Sequence, residues 1–255
     1  MMRIYIILLI SSCFLVGCDM TEDYNAQDPT HSMAKIPNGF YYYGNFDNHQ
    51  QVNIDKFWID QYEVTIKDYK KCIKDGKCSE PLDLNTKGCL YGISNEMLPI
   101  NCVTPKQAKE YCEFVDKRLP TEQEWEFVAK GIVYSSFPWG NDFSKQYACY
   151  GVNTPCQVGL HIPTAMGMRF EEACKNWIEL KPIYDLAGNV AEITNSEYDK
   201  ELTNTACSQN CAVRGGSYAA TNESDLHVTN RSKIGFNTAS PGVGFRCAAT
   251  YIAGQ

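Results

Sequence analysis

The sequence predicts an α+β domain with few short helices, short strands and long ordered loops, stapled by disulfides. Three observations predict it. Two helix starts carry complete capping boxes, Thr104 with Gln107 and Thr121 with Glu124, in which the cap hydroxyl and the third-position side chain satisfy each other's backbone N–H. Runs of aromatic and β-branched residues are brief and bounded by Gly, Asn and Asp, as in short strands between turns. Eleven cysteines follow residue 18, a density that reads as a disulfide framework in an exported chain.

Export is predicted by the first residues. Arg3 precedes an apolar run from Ile4 to Ile10, and Leu15-Val16-Gly17-Cys18 looks like a lipobox. Residues 1–17 are therefore expected to be a signal peptide and Cys18 the lipidated N-terminus, holding the protein on a membrane by its acyl chains. Asp19 directly after it resembles an inner-membrane retention signal of enteric-type bacteria. Residues 18–34 are polar and read as a flexible tether, and 35–255 as one domain. Loss of residues 1–17 removes Arg3 and leaves 22 Lys and Arg against 30 Asp and Glu, a balance of −8. That balance argues against general affinity for nucleic acid, which wants clustered cations.

Within the domain, Asn38 to Gly44 and Val52 to Ile59 read as strands around a polar turn at Asp47-Asn48. Thr65 caps a helix whose face is Tyr69, Cys72 and Ile73. Residues 74–98 form a cysteine-bearing loop region. The Thr104 helix has Pro105 at its favoured first position and a face of Ala108, Tyr111, Cys112 and Val115. After the Arg118-Leu119-Pro120 corner, the Thr121 helix presents Trp125, Val128 and Ala129 and stops at Gly131. Phe137 to Asn141 is a turn with an aromatic anchor. A short helix is expected at 169–178, a compact turn at Tyr184 to Glu192, a strand from Ala212 ending in the Gly215-Gly216 pair, and a last strand from Gly242 to Ala249. Cys72–Cys78, Cys89–Cys102, Cys149–Cys156 and Cys207–Cys211 are plausible short disulfide loops. Eleven is odd, and Cys174 is the candidate for the thiol left over. Metal binding by the cysteines has little support, since there is no C-x-x-C and the four histidines form no paired spacing.

Several segments, in order, resemble the formylglycine-generating enzyme / sulfatase-modifying-factor family. They are Phe57 to Thr65, Pro99 to Val103, Ala108 to Cys112, Arg118 to Glu126, Pro138 to Asn141, Gly188 to Val190, Arg214 to Tyr218 and Gly244 to Cys247. The resemblance covers about residues 36–250. It implies a formylglycine-generating-enzyme-type variant of the C-type-lectin-like fold and a disulfide between Cys112 and Cys247. The family's enzymes oxidise a cysteine of a sulfatase, using oxygen and a copper ion held by two thiolates, which suit Cu(I). Those thiols follow the Arg-Gly-Gly-Ser-Tyr segment, at positions that here hold Ala220 and Asp225. No copper and no formylglycine-generating activity are therefore expected. A family calcium site maps onto the side chains of Asp185 and Glu192 and the carbonyls of Gly188 and Val190, an all-oxygen set suited to that ion. The alternative is a structural turn with Glu192 salt-bridged and no ion.

The function so implied is that of a non-catalytic lipoprotein, a pseudoenzyme facing the periplasm from the bacterial cell envelope. It would bind an envelope protein or a glycan-like ligand, or serve as a regulatory or structural part, for example of a secretion system. Arg214, Ser217, Tyr218 and Arg231 lie in segments bordering the family's substrate cleft and are candidate contacts, with a purely structural role for Arg214 and Ser217 as the alternative. The competing function is an atypical oxidoreductase using Cys174, Cys207 or Cys211.

Overall fold

The computed structural model describes residues 33–45, 47–82, 86–131, 135–161, 181–200, 202–203 and 205–252. The signal peptide, Cys18, Asp19, the helix expected at 169–178 and Cys174 lie outside them. β1 (Met33–Ile36) is the first described element. It begins inside the stretch expected to be tether: Met33 and Ala34 are buried and pair with Asp60 and Ile59. Four residues are too few to show a strand's alternation, so only the pairing reveals them.

β2 (Gly39–Gly44) and β3 (His49–Ile54) form an antiparallel hairpin, with Tyr41 and Tyr43 turned inward and Phe40 and Tyr42 outward. β4 (Phe57–Asp60) follows after Asp55-Lys56. The single strand expected over 52–59 is thus two, because its halves join different sheets. The helices α1 (Ile66–Lys74), α2 (Pro105–Phe114) and α3 (Glu122–Lys130) start at Thr65, Thr104 and Thr121, and both predicted capping boxes are closed.

After α3 come β5 (Ala191–Glu197), β6 (Asn210–Arg214), β7 (Ser232–Gly235), β8 (Val243–Gly244) and β9 (Ala248–Thr250). One sheet runs β1-β4-β9 and another β7-β6-β5-β8, with β8 parallel to β5. The last predicted strand is therefore broken in the middle. Phe245 to Cys247 passes between the two sheets, its Phe245 and Cys247 carbonyls accepting from the N–H groups of Val64 and Asp60. Helix α3 packs Trp125, Phe127 and Val128 against Tyr41, Tyr43 and Ile59, while α2 packs Ala108 and Tyr111 against Ile193, Val213 and Phe245.

Five disulfides join the ten cysteines among the described residues. Four are the short loops named above, and Cys207 and Cys211 are thereby removed from free-thiol chemistry. The fifth, Cys112–Cys247, ties α2 to the inter-sheet segment across a separation of 135 residues. Loop-closure entropy makes it the most stabilising of the five, about 5 kcal/mol against about 2 kcal/mol for the shortest loop. Among the described residues no helix is long and apolar enough to cross a membrane.

Candidate functional site

The cleft is built around the end of β6. Gly215 and Gly216 have φ of 89° and 67°, a region that side chains disfavour. A Cβ on Gly215 would lie 3.1 Å from the Trp125 ring, and one on Gly216 would lie 2.5 Å from the Asp225 carbonyl oxygen. The bare glycines let the strand end lie against α3 on one side and against the 3-10 turn Glu223–Leu226 on the other. Beyond them opens a cavity of about 350 Å³ whose polar wall is Ser217, Asp225, Asn230, Ser232 and Ser240, with Ala220 among its small residues. Ala220 and Asp225, which stand where the family's copper thiols are, thus line one cavity. Among the described residues no thiol lines it and every cysteine is in a disulfide, so copper does not fit this donor set. Hydroxyls, an amide and one carboxylate suit hydrogen-bonding or cationic groups instead. A larger cavity, about 540 Å³, lies by Met33 and Trp58. Its cations are already engaged, Lys117 with Asp60 and Arg118 with Glu124, so the smaller cleft is the better candidate.

Of the four candidate cleft contacts, only Ser217 lines this cavity. Arg214 is turned the other way and is 1% exposed. Its guanidinium donates to Glu122, to Glu126 and to the Val228 carbonyl, an arrangement that ties β6 to α3, while its buried Nε has no partner among the described residues. Arg231 holds both oxygens of Glu122 at 2.6 and 2.9 Å and lies over the Tyr198 ring. Tyr218 is buried, its hydroxyl end toward Gly88, and burial raises its pKa. The structural alternative holds for Arg214, with carboxylates rather than backbone groups as its main partners.

The segment matched to the calcium site is a turn in which Asp185, Gly188 and Asn189 all have positive φ. Glu192 sits at its end, fully buried, and both its oxygens accept from Arg246, at 2.7 Å each; one also accepts from the Trp125 indole. Asp185 accepts from the Gly159 N–H and faces His161. In this arrangement Arg246 competes with a calcium ion for Glu192. The guanidinium already occupies the Glu192 carboxylate, and a divalent ion beside it would meet its charge. Among the described residues no group of three His, Cys, Asp or Glu is placed to hold a metal.

Several buried ions carry no sequence signature. Glu63 is 2% exposed and accepts from Asn189 and from the Val190 N–H. Burial, then the nearby charges of Asp185 and Glu192, push its pKa well up against the pull of Arg246. Glu122 goes the other way: burial would raise it, but the hydrogen bond from Arg231 and the charge of Arg214 outweigh that and hold it below the usual carboxylate range. Lys130 caps the network, donating to the Tyr42 and Gly44 carbonyls and to Glu126.

Residues 20–251 match the sulfatase-modifying factor enzyme 1-like domain family. The chain is 33% identical over 162 residues to the bovine (Bos taurus) protein named inactive C-alpha-formylglycine-generating enzyme 2, covering 59% of this chain and half the length of that relative. It is 23% identical to the mouse (Mus musculus) formylglycine-generating enzyme, over 86% of this chain and 75% of that one. The solved structure of PvdO from Pseudomonas aeruginosa superposes with a TM-score of 0.68 at 20% identity, covering 86% of this chain and 94% of that one, a likeness of fold.

Proposed function

This chain belongs to the sulfatase-modifying factor enzyme 1-like domain family, and we propose that it is a non-catalytic member that binds a protein segment in its cleft. The single observation that carries the reading is the cleft wall. Ala220 and Asp225 face the cavity in place of the two thiols, while the scaffold that shapes it, the glycine pair and the Arg214 network, is intact. Alanine offers no ligand and aspartate is a hard oxygen donor, so the copper-dependent oxidation has no place to occur. Similarity to both active and inactive relatives supports the fold without deciding activity, which the site must decide.

In the same reading Cys18 is lipidated and the domain stands in the bacterial cell envelope, facing the periplasm, as a regulatory or structural partner of another envelope protein, such as a component of a secretion system. The test is to purify the whole protein oxidised, add Cu(I) and a cysteine-containing sulfatase-type peptide, and follow oxygen uptake and peptide mass. The expected result is no tight copper binding and no turnover. Conversion of the peptide's cysteine to an aldehyde would overturn the reading in favour of an oxidoreductase with a relocated site.

A further inference from the structure

We propose that the cleft receives a cationic side chain, a lysine or arginine of a partner polypeptide, held by Asp225; this rests on the cleft being a protein-binding site. Asp225 is the only ionisable residue in the cavity wall among the described residues. Its backbone carbonyl accepts from Asn230, but its carboxylate has no hydrogen bond or ion pair among the described residues. That sets it apart from the buried carboxylates nearby. Glu122 is held by two arginines, and the cations on the adjacent strand are engaged, Arg231 with Glu122 and Lys233 with Asp199. Among the described residues no cation lines the cavity to neutralise Asp225.

The wall chemistry selects the class of guest. A lone carboxylate disfavours an anion. A metal ion would want several carboxylate, thiolate or imidazole ligands together, and the described residues gather no such group. The remaining wall is hydroxyl, amide and small: Ser217, Ser232, Ser240, Asn230 and Ala220. Small residues leave width for an apolar methylene stem, and the hydroxyls and amide can accept the extra N–H bonds of an ammonium or guanidinium. At about 350 Å³ the cavity is at the low end of ligand sites, which suits one long side chain rather than a folded domain. The Gly216 backbone packs directly on the Asp225 carbonyl, which fixes the backbone of that residue beside the cavity. The whole chain carries a net charge of −7, so the field around it also favours a basic guest.

The experiment uses the full-length protein in detergent and four blocked pentapeptides, Gly-Ala-X-Ala-Gly, with X lysine, arginine, norleucine or glutamate. Binding is read by NMR or thermophoresis at low and high salt. The lysine and arginine peptides are expected to bind at least tenfold more tightly than the norleucine and glutamate ones. Asp225→Asn, nearly isosteric, should weaken them about tenfold, the worth of a charge-assisted hydrogen bond. Glu223→Gln, an exposed neighbour outside the wall, should leave them unchanged. Equal binding of all four peptides, binding of none, or an unaffected Asp225→Asn variant would each overturn the proposal. A photo-crosslinker at the exposed Ala219 separates the two readings in native membranes. A partner protein captured equally by wild type and Asp225→Asn keeps the protein-binding function and rejects the cation pocket. Cationic peptides that bind while no protein is ever captured keep the pocket and reject that function.

Discussion

Replacing Arg214 with methionine should cost the protein about 3 kcal/mol of stability. The side chain is fully buried and bonds three groups: Glu122 at 2.8 Å, Glu126, and the Val228 carbonyl. Breaking a buried pair by removing one partner costs roughly 3–5 kcal/mol, because the other charge stays in a poor dielectric. The low end applies here. Glu122 keeps both bonds from Arg231, and Glu126 keeps Lys130 at 3.3 Å and the Gly44 N–H at 2.8 Å. That loss includes about 1 kcal/mol for the orphaned Val228 carbonyl. Urea unfolding with the disulfides intact should therefore show the midpoint falling by about 1 M at an unchanged slope of about 3 kcal/mol per M. The double variant Arg214→Met with Glu126→Gln should recover part of the loss, since it also removes the most isolated carboxylate. A loss below about 1 kcal/mol would refute the reasoning. It would mean that the guanidinium is solvated and free, as a cleft contact would be.

Calcium at a hundredfold excess over a real dissociation constant would stabilise the fold by about 2.7 kcal/mol, several degrees of melting temperature. The Arg246 hold on Glu192 predicts no such shift between calcium and EGTA by differential scanning fluorimetry, and a shift of that size would show an ion displacing the guanidinium. Glu63 predicts a pH dependence. Its folded pKa lies above the ordinary 4.5, so its contribution is fully present below about pH 4.5 and is lost as pH rises toward and through the folded value. Normalised for the variant's lost packing, melting temperatures of wild type and Glu63→Gln should therefore coincide near pH 4.5 and diverge as pH is raised, with wild type falling below the variant; parallel curves would show that Glu63 titrates normally.

The elements readable in advance were those decided within a few residues. Thr65, Thr104 and Thr121 begin helices because a cap and its partner are three positions apart, and four of the disulfides close loops spanning 4 to 13 residues. Register across sheets was not readable. Val52 to Ile59 and Gly242 to Ala249 each looked like one strand, and each divides between two partners. Arg214 and Tyr218 lie in a segment that borders the cavity, but the direction of a side chain at a glycine-pair bend depends on what packs there.

The sequence by itself determined the helix starts, the family resemblance, the short disulfide loops and the replacement of two thiols by Ala220 and Asp225, since each depends on residue identity or near-neighbour spacing. The tertiary structure alone decided which charges are buried and whom they face. Glu192 meets Arg246 54 positions away, Arg214 meets Glu122 92 away, and Glu63 meets Asn189 126 away. At such separations a lone Glu or Arg in an apolar run looks like any surface charge. Only folding, which removes water from both partners at once, makes the pairing the condition for burying either.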